Sequence, residues 1–178
     1  MRRAAGFTLI ELLVVMVIIG SLAGLAVLST GVAGPARELN NEAERLASLL
    51  GVLADEAVLD NREYGLWVTP EAYQVLRYEE RSGAWQPLDK REHRLPEWAE
   101  LSIELDGQAL TLPGPVADDS EQKKSAALVP QLLILSSGEF SPFRLRLVER
   151  RRDGLRLQLS SDGFSLPKVE VLATGRAS

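Results

Sequence analysis

The chain has no cysteine, one histidine and few aromatic residues, 6% of its 178 positions. Without thiols there is no disulfide, no thiol nucleophile and no thiolate metal site, so packing alone must hold the fold. A metal site with one imidazole would depend on carboxylates. Arg91-Glu92-His93-Arg94 lacks the second histidine of the zinc helix motif, and His93 reads as an exposed loop residue. No G-x-S-x-G nucleophile pattern surrounds the serines, and Ser136-Ser137-Gly138 falls between strands with no base close in sequence. Asp118-Asp119 reads as solvated charge. A basic excess is missing too. The formal net charge is −5, a poor match for phosphate backbones, and nucleic-acid binding is not expected. These absences speak against an enzyme and imply no cofactor and no metal.

What is present is concentrated at the start. Met1-Arg2-Arg3 precedes an apolar run over residues 7–28, about 22 residues and roughly 33 Å long as a helix, enough to cross a bilayer. A secretory signal peptide would have a shorter apolar core, a small-residue cleavage site at its end and no acid. This run carries Glu11. A carboxylate near a bilayer core costs on the order of 2.5 to 3.5 kcal/mol, somewhat less near a helix start, so it calls for a partner. Arg2 and Arg3 should remain cytoplasmic and direct the rest of the chain across the membrane.

Beyond the run, Gly31, Gly34 and Pro35 interrupt the helical pattern, and proline inside a helix costs about 3 kcal/mol or more. A kink or local melting is expected there. Helical spacing then resumes: Leu39, Ala43, Leu46, Leu50, Leu53 and Ala57 form an apolar stripe opposite Arg37, Glu38, Glu42, Glu44, Arg45, Asp55 and Glu56. This amphipathic helix should end near Asp60-Asn61.

After residue 62 the period falls to two. Tyr64, Leu66 and Val68 alternate, and Tyr73, Val75 and Arg77 follow the Thr69-Pro70 turn signal as the second arm of a hairpin. Leu101, Ile103 and Leu105 make another set, with Asp106-Gly107 leading into residues 109–112. The continuous apolar run 132–135 suits a central strand. Phe143, Leu145 and Leu147 pair by pattern with Leu155, Leu157 and Leu159 across Asp153-Gly154, a strong hairpin signal. A last strand is expected over 168–172. Residues 113–130, with three prolines and mixed charge, read as a long loop. Trp67, Trp85 and Trp98 read as core or rim packing. Arg150-Arg151-Arg152 reads as a soluble hairpin end that discourages edge pairing.

Gly6-Phe7-Thr8-Leu9-Ile10-Glu11, after its basic leader, resembles the prepilin processing motif shared by type IV pilins and the pseudopilins of type II secretion systems. The resemblance implies cleavage between Gly6 and Phe7 by a membrane aspartyl peptidase, N-methylation of Phe7, and Glu11 as the assembly carboxylate. Trp85-Gln86-Pro87-Leu88 and the stretch from Leu132 through Ser136-Ser137-Gly138-Glu139-Phe140-Ser141-Pro142 are similar to the C-terminal domain of the GspH–FimT family. That family usually places an aromatic in the apolar stretch before the glycine, where this chain has Leu135 or Ser136.

The resemblance implies an α+β, type IV pilin-like fold, with a long N-terminal helix, transmembrane in its first half, packed on antiparallel β-sheets. The divisions are a leader at 1–6, a transmembrane or filament-core helix at 7–28, a kink and amphipathic helix at 29–62, and a periplasmic β-rich domain at 63–178. The implied role is a non-enzymatic minor pseudopilin near the tip of the periplasmic pseudopilus, single-pass in the inner membrane. Its partners would be the prepilin peptidase, the major pseudopilin and the other minor pseudopilins. A minor pilin of a type IV pilus or DNA-uptake filament is the alternative, which the lack of a cysteine pair disfavours.

Overall fold

One helix stripe and the inner faces of two antiparallel sheets meet in a single apolar core. The computed structural model describes residues 9–114 and 128–172, with the side chains of 23–33 left out. The chain divides into two compact units, Met1–Arg37 and Glu38–Ser178. Helix α1, Leu9–Asp60, is continuous and carries Pro35 inside it, so local melting does not occur there. Its end is closed by a Schellman arrangement: Asn61 takes the left-handed conformation (φ 49°) and the Arg62 N–H donates to the Ala57 carbonyl at 3.1 Å. The predicted stripe is the buried one, with Leu39, Ala43, Leu46, Leu50 and Ala57 fully covered.

The first sheet holds β1 (Tyr64–Val68), β2 (Ala72–Glu79), β3 (Ala84–Pro87) and β4 (His93–Arg94). It is completed by β7 (Leu132–Ile134), in the order β3-β2-β1-β7 with β4 also on β2. The second holds β5 (Ala99–Leu105), β6 (Gln108–Ala109), β8 (Phe143–Glu149), β9 (Arg156–Ser161) and β10 (Lys168–Val171). Its order is β10-β9-β8-β5-β6.

The Thr69-Pro70 hairpin forms as expected, pairing Val68 with Tyr73 and Tyr64 with Arg77. Thr69 closes it, its hydroxyl accepting from the Ala72 N–H at 2.9 Å. Asp106-Gly107 is a two-residue turn with both φ values positive, 49° and 79°, which twists β5 into β6. Trp67 is buried, Trp98 packs against the core, and Trp85 leans on Tyr78 with ring centroids 5.3 Å apart.

Two expectations need correction. The run 132–135 is not a central strand: β7 ends its sheet. It stays apolar because the returning chain covers its outer edge, with Leu135 N–H donating to the Glu139 carbonyl at 2.8 Å and Ser141 N–H to the Leu133 carbonyl at 3.0 Å. The Asp153-Gly154 hairpin joins β8 to β9 but not through a two-residue primed turn, since neither residue has positive φ. Gly154 is needed there for space. A Cβ on it would lie 2.5 Å from the Glu149 carbonyl oxygen and 2.8 Å from the Glu149 Cβ. The strands β3 and β4 were not legible from alternation. The loop expected over 113–130 falls mostly outside the described residues, as does Asp118-Asp119.

Two stability changes follow from this packing. Leu50→Ala, at a fully buried site, should cost about 2–5 kcal/mol in chemical denaturation. Gly154→Ala should cost about 1–3 kcal/mol through overpacking, and wild-type stability in that variant would contradict the close approach to Glu149.

Candidate functional site

The first unit exposes an apolar helix surface. Over residues 9–22 every described side chain is exposed, including Leu9 at 82% and Ile10 at 71%. A helix that is apolar all round does not end its folding in water; it is built to be covered by other apolar matter. Glu11 lies in the first turn of this helix, exposed among those side chains, and the N-terminal end of the helix dipole favours an acid there. Gly6 and Phe7 lie outside the described residues. Among the described residues no helix is long and apolar enough to cross a membrane. The run 7–28 extends beyond them.

In the second unit, the sequence did not reveal a polar cluster between α1 and the first sheet. His93 is not an exposed loop residue. It sits on β4, half-buried, with its Nε2 2.8 Å from Glu42 Oε2 and its ring 4.8 Å from that of Tyr73. The pair ties the short β4 to the helix across 51 positions, a separation that no local spacing rule detects. Tyr73 is 3% exposed and, among the described residues, its hydroxyl has no hydrogen-bond partner. Burial, reinforced by the Glu42 carboxylate and opposed by Arg45, pushes the Tyr73 pKa up to about 12. Tyr73 and His93 border a groove of about 310 Å³ with Arg45, Ser48, Leu49 and Val52.

Arg150 likewise does more than solubilise a hairpin end. Its Nη2 donates to Glu71 Oε1 at 2.9 Å and its Nε lies 3.6 Å from Glu100 Oε2, linking the loop before β2 to β5 of the other sheet. Arg151 pairs with the buried Glu149 at 3.3 Å, whose other oxygen accepts from the Leu155 N–H at 3.2 Å. These are structural ties. Among the described residues no cluster of three or more His, Asp or Glu could hold a metal ion.

The raised Tyr73 pKa has a definite sign in stability. Proton loss is easier in the unfolded chain, so this contribution is complete below about pH 10 and is lost as pH rises toward about 12. The expected slope is about 1.4 kcal/mol per pH unit in that window. Tyr73→Phe should remove that alkaline loss in pH-dependent denaturation and cost little at neutral pH, because the hydroxyl gives up no hydrogen bond.

Comparison with known proteins places this arrangement. Residues 42–163 match the family model described as type II transport protein GspH, and residues 1–30 match the prokaryotic N-terminal methylation motif. The chain is 66% identical to type II secretion system protein H of Pseudomonas aeruginosa, covering 96% of this chain and 98% of that protein. It is 32% identical to the protein of the same name from Aeromonas hydrophila, over 85% of each chain. The crystal structure of the minor pseudopilin EpsH from the type II secretion system of Vibrio cholerae matches with a TM-score of 0.59 at 25% identity. That match covers 80% of this chain and 100% of EpsH. The solution structure of Escherichia coli GspH shares the fold, with a TM-score of 0.58 at 19% identity over 83% of this chain and 98% of that one. An apolar helix at the start, two antiparallel sheets later in the chain and these likenesses agree: the chain belongs to the GspH family of type II transport proteins.

Proposed function

We propose that this chain is a minor pseudopilin of the type II secretion system, a structural and non-catalytic subunit of the periplasmic pseudopilus that drives folded proteins across the outer membrane. The observation that carries this reading is the α1 segment over residues 9–22, apolar and exposed on every side, on a chain whose relatives are named for that system. Those names favour secretion over the type IV pilus or DNA-uptake alternative. Before assembly the run 7–28 anchors the protein once in the inner membrane, with the second unit in the periplasm; after assembly the same side chains line the filament core, near the tip. The methylation-motif match over residues 1–30 supports processing by the prepilin peptidase between Gly6 and Phe7, followed by N-methylation of Phe7.

Glu11 then has a defined task. On a helix it lies one turn from the new Phe7 amine, so the two charges can pair within a subunit. Between subunits, the carboxylate of an incoming chain meets the amine of one already in the filament. Either contact offsets desolvation that neither ion bears alone. Only the second sets axial register. The partners are the peptidase, the major pseudopilin and the other minor pseudopilins.

Two measurements test this. Mass spectrometry of the protein from cells with the peptidase should find a chain beginning at methylated Phe7, and Gly6→Leu should retain the leader; trimming unaffected by Gly6→Leu would refute the cleavage assignment. Glu11→Ala should insert normally yet be depleted at least about tenfold from assembled pseudopili, since a contact of 1.4 kcal/mol or more is a tenfold change in the equilibrium. Full incorporation would remove the register role.

A further inference from the structure

A loop that is closed by its own hydrogen bonds and yet displays apolar side chains to water stands out on the second unit. It runs over residues 162–166, between β9 and β10. Asp162 Oδ1 accepts from the Ser165 N–H at 2.8 Å and the Phe164 N–H at 3.1 Å, and the Ser161 hydroxyl donates to the Ser165 carbonyl at 2.6 Å. The Gly163 N–H donates to Ser161 Oγ at 3.1 Å, while its carbonyl accepts from the Phe140 N–H at 2.8 Å. Gly163 has a φ of +103°, and a Cβ there would crowd the Phe140 carbonyl at 3.0 Å. The Ser165 and Phe164 hydrogen bonds hold the Asp162 carboxyl below its ordinary range, so it remains charged.

This framework leaves Phe164 80% exposed and Leu166 61% exposed. Beside them runs the flank of α1. A Cβ on Gly51 would touch Leu166 at 3.8 Å, and Val58, 53% exposed, sits against the turn at Gly138. The hydrogen bonds that close this loop lie within the subunit and do not depend on a partner. A preordered aromatic anchor is what a binding hot spot needs, because little conformational entropy remains to be lost on contact.

The charge around the anchor selects the occupant. Asp55, between Gly51 and Val58 on the same helix flank, Glu139 next to Gly138, and Asp162 itself are all exposed, against Lys168. A second copy docking through the same face would bring like charge to like, and an anionic bilayer would be repelled. We infer that the 162–166 loop and the adjoining flank of α1 form a docking surface for a different pilin-like subunit, which offers an apolar pocket rimmed by lysine or arginine. This inference rests on the filament role proposed above and assigns one contact within it.

Site-specific photo-cross-linking tests it in cells carrying the complete secretion apparatus. The full chain with a benzophenone amino acid in place of Phe164 should yield, on illumination, an adduct with another pseudopilin whose cross-linked peptide contains Lys or Arg. An adduct with a second copy of this chain, or with phospholipid, overturns the inference. So does the absence of any adduct while the chain still co-purifies with other pseudopilins, an outcome that leaves the filament role intact. Failure of the unaltered chain to co-purify with any pseudopilin overturns both. The pairs Phe164→Ser with Leu166→Ser, and Asp55→Lys with Glu139→Lys, should each lower the co-purified partner at least about tenfold, with thermal unfolding of the purified variant unchanged because the sites are exposed. Undiminished recovery of the partner with both pairs contradicts the assignment.

Discussion

The leucine stripe of α1 against two sheets is the contact on which the rest depends. Leu39, Leu46 and Leu50 share one core with Leu66 and Val68 of β1, Leu101 and Ile103 of β5, Leu145 and Leu147 of β8, and Leu157 and Leu159 of β9. With no cysteine in the chain, no covalent link can replace that contact. At about 1.5–3 kcal/mol for each fully buried aliphatic side chain, losing Leu39, Leu46 and Leu50 alone would remove on the order of 5–9 kcal/mol, comparable to the whole net stability of a domain.

Polar ties refine what the apolar core begins. Arg150 joins Glu71 and Glu100, residues attached to different sheets, and His93 with Glu42 holds a two-residue strand to the helix. Half-exposed pairs of this kind contribute about 1 kcal/mol or less, so their effect is to select one arrangement of already buried elements. The segment around Phe140 works in the same way, bridging to Ile134 on one side and donating to Gly163 on the other. It connects the first sheet to the loop that exposes Phe164.

The two units thus divide the labour of a filament subunit. The first, over residues 9–22, shows side chains that only other apolar matter can cover. The second folds around its own core and leaves exposed what partners can read, with acidic groups around the aromatic anchor at Phe164. Among the buried titratable side chains of the described residues, Tyr64 and Tyr73 serve packing and Glu149 serves turn closure.

Local physics was legible along the chain wherever periodicity speaks for itself. The stripe from Leu39 to Ala57, the end of α1 at Asp60, the Thr69-Pro70 hairpin and the alternating β5, β8 and β9 all follow from spacing and turn chemistry, because a core face repeats every 3.6 or every 2 residues. The methylation motif matched over residues 1–30 was legible in the same way, through residue identity at short range. Contacts between distant positions were not. That β7 is an edge strand depends on the return of Glu139 and Ser141, and the burial of His93 depends on Glu42, 51 positions away. The pattern of a strand records how covered it is, not which neighbour covers it; only the three-dimensional path of the chain decides that.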